Sequence, residues 1–106
     1  WTAVQERTNL LVIVCNDRGY GVIRHIQDAV ADGRRRFDTL VSPDLEGVAA
    51  LAGLPFRRVA DPDGFGPAVA AMMAETGPAI VEVDMTAIGD HPPYYPYGPK
   101  VAAAVR

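Results

Sequence analysis

The chain predicts an α/β fold with an open parallel sheet of three strands and flanking helices. Three observations carry this. The apolar run LLVIVC at residues 10–15 is rich in β-branched side chains and too short for a buried helix, which suits a strand covered on both faces. Two further short apolar runs follow, at residues 56–60 and 79–84. Between the strands lie segments whose apolar residues recur at helical spacing, and strands alternating with helices argue for a parallel sheet joined by crossovers.

In chain order, WTAVQERTN reads as the last turns of a helix, with Trp1, Val4 and Thr8 on one face. A domain seldom starts in mid-helix, so the sequence is expected to be a piece of a longer protein. After LLVIVC comes the polar corner Asn16-Asp17-Arg18-Gly19. From Tyr20 to Asp32, Val22, Ile23, Ile26 and Val30 recur at helical spacing, and Gly33 supplies a stop. RRRFDTLV is irregular, a loop that packs Phe37 and Leu40. SPDLEGVAALAG is a marked helix, with Ser42 as cap, Pro43 in its first turn and Gly53 at its end. PFRRVAD is a short strand. Asp63 is a candidate cap for the next helix, whose stripe is Phe65, Val69, Met72 and Met73, and Gly77-Pro78 ends it. AIVEVDM closes the sheet. The division expected is an α/β portion over residues 1–90 and a Pro/Tyr-rich tail over 91–106.

The 106 residues leave room for one domain at most, and 49% hydrophobic with 22% charged residues is a globular composition. A net charge of −3 gives no sign of nucleic-acid binding, and Arg34-Arg35-Arg36 reads as a solvated loop. The single cysteine excludes an internal disulfide and fits a reducing, cytoplasmic setting. No apolar run approaches the roughly 20 residues that span a bilayer, and Trp1 opens no signal-peptide pattern. Three strands make a thin sheet with an apolar edge, so association into a homo-oligomer and with other domains of its own chain is expected.

Chemistry points to the corner after the first strand. Open α/β sheets bind ligands at the carboxyl ends of their strands. There Asn16 and Asp17 offer oxygen ligands, Gly19 allows a tight turn that aims its carbonyl inward, and these are donors for a hard cation such as Mg2+. The helix beginning at Tyr20 brings amide groups near a possible anion. On residue types alone, a plain structural turn explains the corner as well.

LLVIVCNDRGYGVIRHIQ, however, closely resembles the second half of the thiamin diphosphate motif in the acetolactate synthase, benzoylformate decarboxylase and pyruvate decarboxylase superfamily. That motif opens with Gly-Asp-Gly and closes on an Asn-Asn pair, a turn and a Tyr-Gly step. TAVQERTNL resembles the helix between the two halves, and SPDLEGVAALAGLPFRRVADPDGFGPAVAAMMAETGPAIVEVDM the rest of the diphosphate-binding domain, so the likeness runs in register over residues 1 to about 90. It implies a Rossmann-like, thiamin diphosphate-binding fold and an enzyme that adds the thiazolium of thiamin diphosphate to a 2-oxo acid and releases carbon dioxide. By position, Asn16 matches the first Asn. Asp17 matches the second, a side-chain ligand of Mg2+ that is more commonly Asn, and Gly19 matches the residue that lends its carbonyl to the metal. Tyr20 and Gly21 match the following pair, and Val22 and Ile23 the side chains beside the reactive end of the cofactor, where being apolar they give shape. Gly-Asp-Gly and the pyrimidine-binding domain with its glutamate are not in this sequence, so the chain by itself is expected to be inactive. The other reading is a non-catalytic α/β assembly module; a Gly-Asp-Gly upstream of Trp1 in the gene would decide against it.

Other candidates are weaker. His25 is a packed or surface histidine inside a helix, and His91, Tyr94, Tyr95 and Tyr97 lie in the tail, where they suit a cover or a subunit contact. Cys15, on a buried strand, behaves as a small hydrophobe with no activating base, and Met72 and Met73 read as core. No Gly-x-Gly-x-x-Gly is present, against a dinucleotide fold.

Overall fold

All three apolar runs become strands of one parallel sheet in the computed structural model, which describes residues 1–88. The strands are β1 (Leu11–Asn16), β2 (Phe56–Val59) and β3 (Ala79–Asp84), in the spatial order β1-β3-β2. Around them lie α1 (Thr2–Gln5), α2 (Gly21–Val30), α3 (Leu45–Ala52) and α4 (Phe65–Met73), the last preceded by a single 3-10 turn over Pro62–Gly64. The fold is therefore α/β and Rossmann-like, as the alternation of elements predicts. The expected tail over 91–106, with His91 and its tyrosines, lies outside the described residues.

The described residues form two compact units, Trp1–Asn16 with Ser42–Ile88, and Asp17–Val41. The first contains the sheet. Its register pairs Leu11 with Ala79 through Asn16 with Asp84, and Phe56 with Ile80 through Val59 with Val83. Paired on both edges, β3 is the most buried strand. Ala79, Val81 and Val83 point to one face, where Val59 of β2 and Ala68 and Met72 of α4 meet them, with Leu11, Met85 and Ile88 at the margin. Val81 is fully buried at the centre.

Local chemistry explains where the elements stop. Arg7, at φ +50, ends α1 after one turn, so of the three residues expected on one face only Val4 is half-buried; Trp1 and Thr8 are exposed. Gly53 closes α3 in the left-handed conformation (φ +68) that a side chain would strain. Gly77, at φ +99, breaks the chain after α4 and donates its amide to Asn9 Oδ1 at 2.9 Å.

Several expectations need correction. The strand LLVIVC is not covered on both faces: Val12 and Ile13 are 40% and 44% exposed, and Cys15 is exposed. The reason is position, because among the described residues β1 is an edge strand paired only with β3, while α4 packs on β2 and β3. Ser42 does not cap α3. Asp44 occupies the N-cap without a side-chain bond, and the Ser42 hydroxyl donates to Asn16 Oδ1 instead (3.0 Å). The cap ahead of α4 is Asp61, which accepts from Gly64 N at 2.8 Å; Asp63 sits inside the 3-10 turn. Met73 and Phe65 are exposed, since the buried stripe of α4 is Ala68 and Met72. Phe37, at φ +55, is 93% exposed and Leu40 is exposed, so the 34–41 loop buries neither.

Because Val81 is fully buried in the core cluster, Val81→Ala should destabilise the protein by about 2–3 kcal/mol in urea unfolding. Met73→Ala, at a side chain 71% exposed, should change stability by less than about 0.5 kcal/mol.

Candidate functional site

The last residue of β1 is Asn16, registered opposite Asp84, and its carbonyl accepts from Met85 N at 3.0 Å. In a parallel sheet alternate residues share a face, so Val14, Asn16, Glu82 and Arg58 stand on the face opposite the Val81 core. There Asn16 Nδ2 donates to Glu82 Oε1 (2.8 Å), while Asn16 Oδ1 accepts from Ser42 Oγ (3.0 Å). Glu82 is 2% exposed, and its other oxygen, Oε2, accepts from Arg58 Nε at 2.8 Å. Glu46 of α3 reaches within 4.0 Å of the same guanidinium. The hydrogen bond from Arg58 and the negative charge of Glu82 hold this guanidinium protonated above its usual range. No buried side-chain oxygen or nitrogen among the described residues lacks a partner.

Asp17 follows Asn16 directly and opens the second unit. Its Oδ1 accepts from Gly19 N (3.2 Å), a local turn closed by the side chain. Its Oδ2 pairs with Arg24 Nη2 at 3.2 Å, and the same nitrogen donates to the Asp17 carbonyl. The segment after it is pinned by short antiparallel pairing: Tyr20 N donates to Asp38 O (2.8 Å), and Leu40 N to Arg18 O (3.2 Å).

This geometry gives a steric reason for a glycine at position 19. The left-handed residue of the turn is Arg18, at φ +54, and Gly19 is required for space. A Cβ at Gly19 would strike the Asp38 carbonyl oxygen and come within 2.7 Å of Arg24 Nη1; one at Gly21 would strike Asp17 Oδ2. Both glycines let the backbone close around a carboxylate and its guanidinium.

Tyr20 is the N-cap of α2 and makes no side-chain cap bond; the first turn, which follows Asp17 closely in the chain, contains no acidic residue. Val22 and Ile23 are exposed in that turn, not packed as helix core, and none of α2 is fully buried. His25 is half-buried. α2 ends at Val30, and Asp32 and Gly33 are both left-handed, so the stop begins one residue before the expected glycine. Arg35 folds back on Asp28 with two bonds of 2.8 and 2.7 Å.

The seven residues expected at the site thus fall at one point of the sequence but in two units: Asn16 at the end of β1, and Asp17, Gly19, Tyr20, Gly21, Val22 and Ile23 in the turn and first helical turn after it. Among the described residues no three His, Cys, Asp or Glu side chains form a cluster fit for a metal ion. Sequence reasoning missed Arg24, Ser42, Arg58 and Glu82. Glu82 had a signal, a carboxylate inside an otherwise apolar strand; Arg24 had none beyond lying on the helix after the turn.

The family described as thiamine pyrophosphate enzyme, C-terminal TPP binding domain, matches residues 1–83. The chain belongs to this family. The match starts with α1 and runs to Val83 in the central strand, so it contains the whole polar corner and the side chains that those of Asn16 and Asp17 bond here. As a thiamine pyrophosphate enzyme domain, the chain is part of a cofactor-dependent enzyme, and thiamin diphosphate is its cofactor. No curated protein matches it. No helix among the described residues of this thiamin diphosphate-binding domain is long and apolar enough to cross a membrane.

Two outcomes follow. Gly21→Ala should push a methyl into the Asp17 carboxylate and displace it from Arg24; since that partly exposed side chain can move, the loss should stay within about 1 kcal/mol in denaturant unfolding. The Arg35 hydrogen bonds hold the Asp28 carboxyl below the usual carboxylate range. This pair therefore adds stability above the unfolded carboxyl value of about 3.9, and the contribution disappears as pH falls through the lower folded midpoint. An NMR titration should place the Asp28 midpoint below that value, and Arg35→Ala should bring it back up.

Proposed function

We propose that the chain forms part of the diphosphate and Mg2+ site of a thiamin diphosphate-dependent decarboxylase or carboligase, acetolactate synthase-like, acting on a 2-oxo acid. The reading rests on the turn that follows β1, where Asp17, the Gly19 backbone and the start of α2 lie together in seven consecutive positions. Thiamin diphosphate supplies the carbanion-stabilising chemistry for loss of carbon dioxide, and the protein supplies orientation and electrostatics.

The donor set is the right kind for Mg2+. An ionised carboxylate has about four acceptor positions; Asp17 uses positions on both oxygens for Gly19 N and Arg24, which leaves capacity for a cation. With the Gly19 carbonyl it would give two hard oxygens of the six that Mg2+ prefers. A Gly-Asp-Gly segment and the diphosphate itself would complete the set. Arg24 offsets the extra negative charge that Asp17 introduces beside a diphosphate, compared with the more usual Asn. Val22 and Ile23 present apolar surface for shape, and transfer no proton. The substrate is recognised on other domains of the same enzyme, which works as a homo-oligomer in the cytoplasm; the exposed Val12, Ile13, Val48 and Leu51 suit burial in such an assembly.

A specific observation also supports the competing reading, a turn that is only structural in a non-catalytic module: the Asp17 carboxylate already has partners at both oxygens. Calorimetric titration of thiamin diphosphate with Mg2+ decides between them. The 106-residue chain alone should bind undetectably or very weakly. In the complete enzyme Asp17→Ala should weaken binding by roughly tenfold or more, and Asp17→Asn should be tolerated. Parent affinity in Asp17→Ala would leave the structural turn as the answer.

A further inference from the structure

We propose that Glu82 is a positioning residue for the cofactor corner: its buried carboxylate, braced by Arg58, sets the orientation of the Asn16 amide and so fixes the point at which β1 hands the chain to Asp17. This rests on the thiamin diphosphate reading above.

Glu82 is the one buried charged residue among the described residues, set between Val81 and Val83 in the central strand. Burying a carboxylate is unfavourable unless it is paired, and a buried ion pair is weak evidence for stability, since apolar residues of similar volume often serve as well. What the pair gives here is direction. A carboxylate only accepts hydrogen bonds, so Asn16 must turn its NH2 toward Glu82 Oε1, and its own oxygen is left to face the Ser42 hydroxyl. Arg58 holds the second carboxylate oxygen at 2.8 Å, which stops Glu82 from swinging away from Asn16. The three groups come from β1, β3 and β2 and tie the strands together across one face, Arg58 level with Glu82 and Asn16 two residues further along.

The consequence for the site is a division of labour between adjacent residues. The amide of Asn16 is committed to the sheet through Glu82 and Ser42, so its contribution to the cofactor is to anchor the peptide that precedes Asp17. Asp17 and the Gly19 carbonyl remain as the groups that contact metal.

The test exploits the donor and acceptor sense of the Asn16–Glu82 bond, with thiamin diphosphate and Mg2+ titrated calorimetrically into the full enzyme. Glu82→Gln keeps the shape but can present either an oxygen or an NH2 to Asn16, and should weaken cofactor binding about tenfold while kcat at saturating cofactor stays near the parent. Asn16→Asp alone sets two carboxylates against each other and should weaken binding further. The double variant Asn16→Asp with Glu82→Gln restores a donor and an acceptor in the reverse sense, with the oxygen of Gln still available to Arg58, and should recover most of the parent affinity. A residue with a merely structural role would lower thermal stability without this recovery. Parent affinity in Glu82→Gln, or a double variant no better than the worse single one, overturns the proposal. Should Glu82→Gln fail to fold, Ser42→Ala removes the hydroxyl on the other side of the same amide; parent affinity there also overturns it. If Asp17→Ala binds the cofactor normally, the site reading itself has failed; if Asp17→Ala weakens binding and Glu82→Gln does not, only the positioning role has.

Discussion

The pairing of β3 on both of its edges is the constraint on which the sheet unit depends. It places Ala79, Val81 and Val83 where α4 can cover them, and it gives each outer strand its one partner among the described residues. Parallel strands cannot be joined by a tight hairpin and need long crossovers. The connections so required begin, after β1 and after β2, with the polar turn and with the capped 3-10 turn. Burial follows the same order: the middle strand is enclosed, and the outer ones are half open.

Within the polar turn the controlling feature is close approach around Asp17. The carboxylate occupies the volume a side chain would need at Gly21, and the Asp38 carbonyl with Arg24 occupies the volume at Gly19. Tight turns usually owe their glycines to backbone angles, but here the left-handed angle falls on Arg18 and the glycines answer to neighbours. An apparently redundant Gly-Tyr-Gly is therefore two separate steric requirements on either side of one residue.

Much of this was legible in the sequence. Apolar runs bounded by polar or turn-forming residues located all three strands to within a residue or so, and helical spacing located α2, α3 and α4, because these patterns arise from the elements themselves. The corner at Asn16 to Gly21 was legible for the same reason, being contiguous. What escaped was anything set by partners distant in sequence. LLVIVC has the composition of an enclosed strand, and only the spatial order reveals it as an edge. Ser42 has the residue type of a cap, yet an amide 26 positions away takes its hydroxyl. Met73 and Met72 are equivalent in any helical stripe drawn without knowing how α4 is rotated.

The spatial order of the strands also imposes an order in time. β1 precedes β3, its one partner among the described residues, by the 68 positions that separate Leu11 from Ala79, and ribosomes add on the order of 5–20 residues per second. An aliphatic segment with a hydrogen-bonding edge must therefore wait seconds on the nascent chain before β3 can pair with it. During that interval it is a natural client for a holdase chaperone, and a weak point for self-association. The most hydrophobic stretch of the sequence is thus made seconds ahead of the central strand that pairs with it.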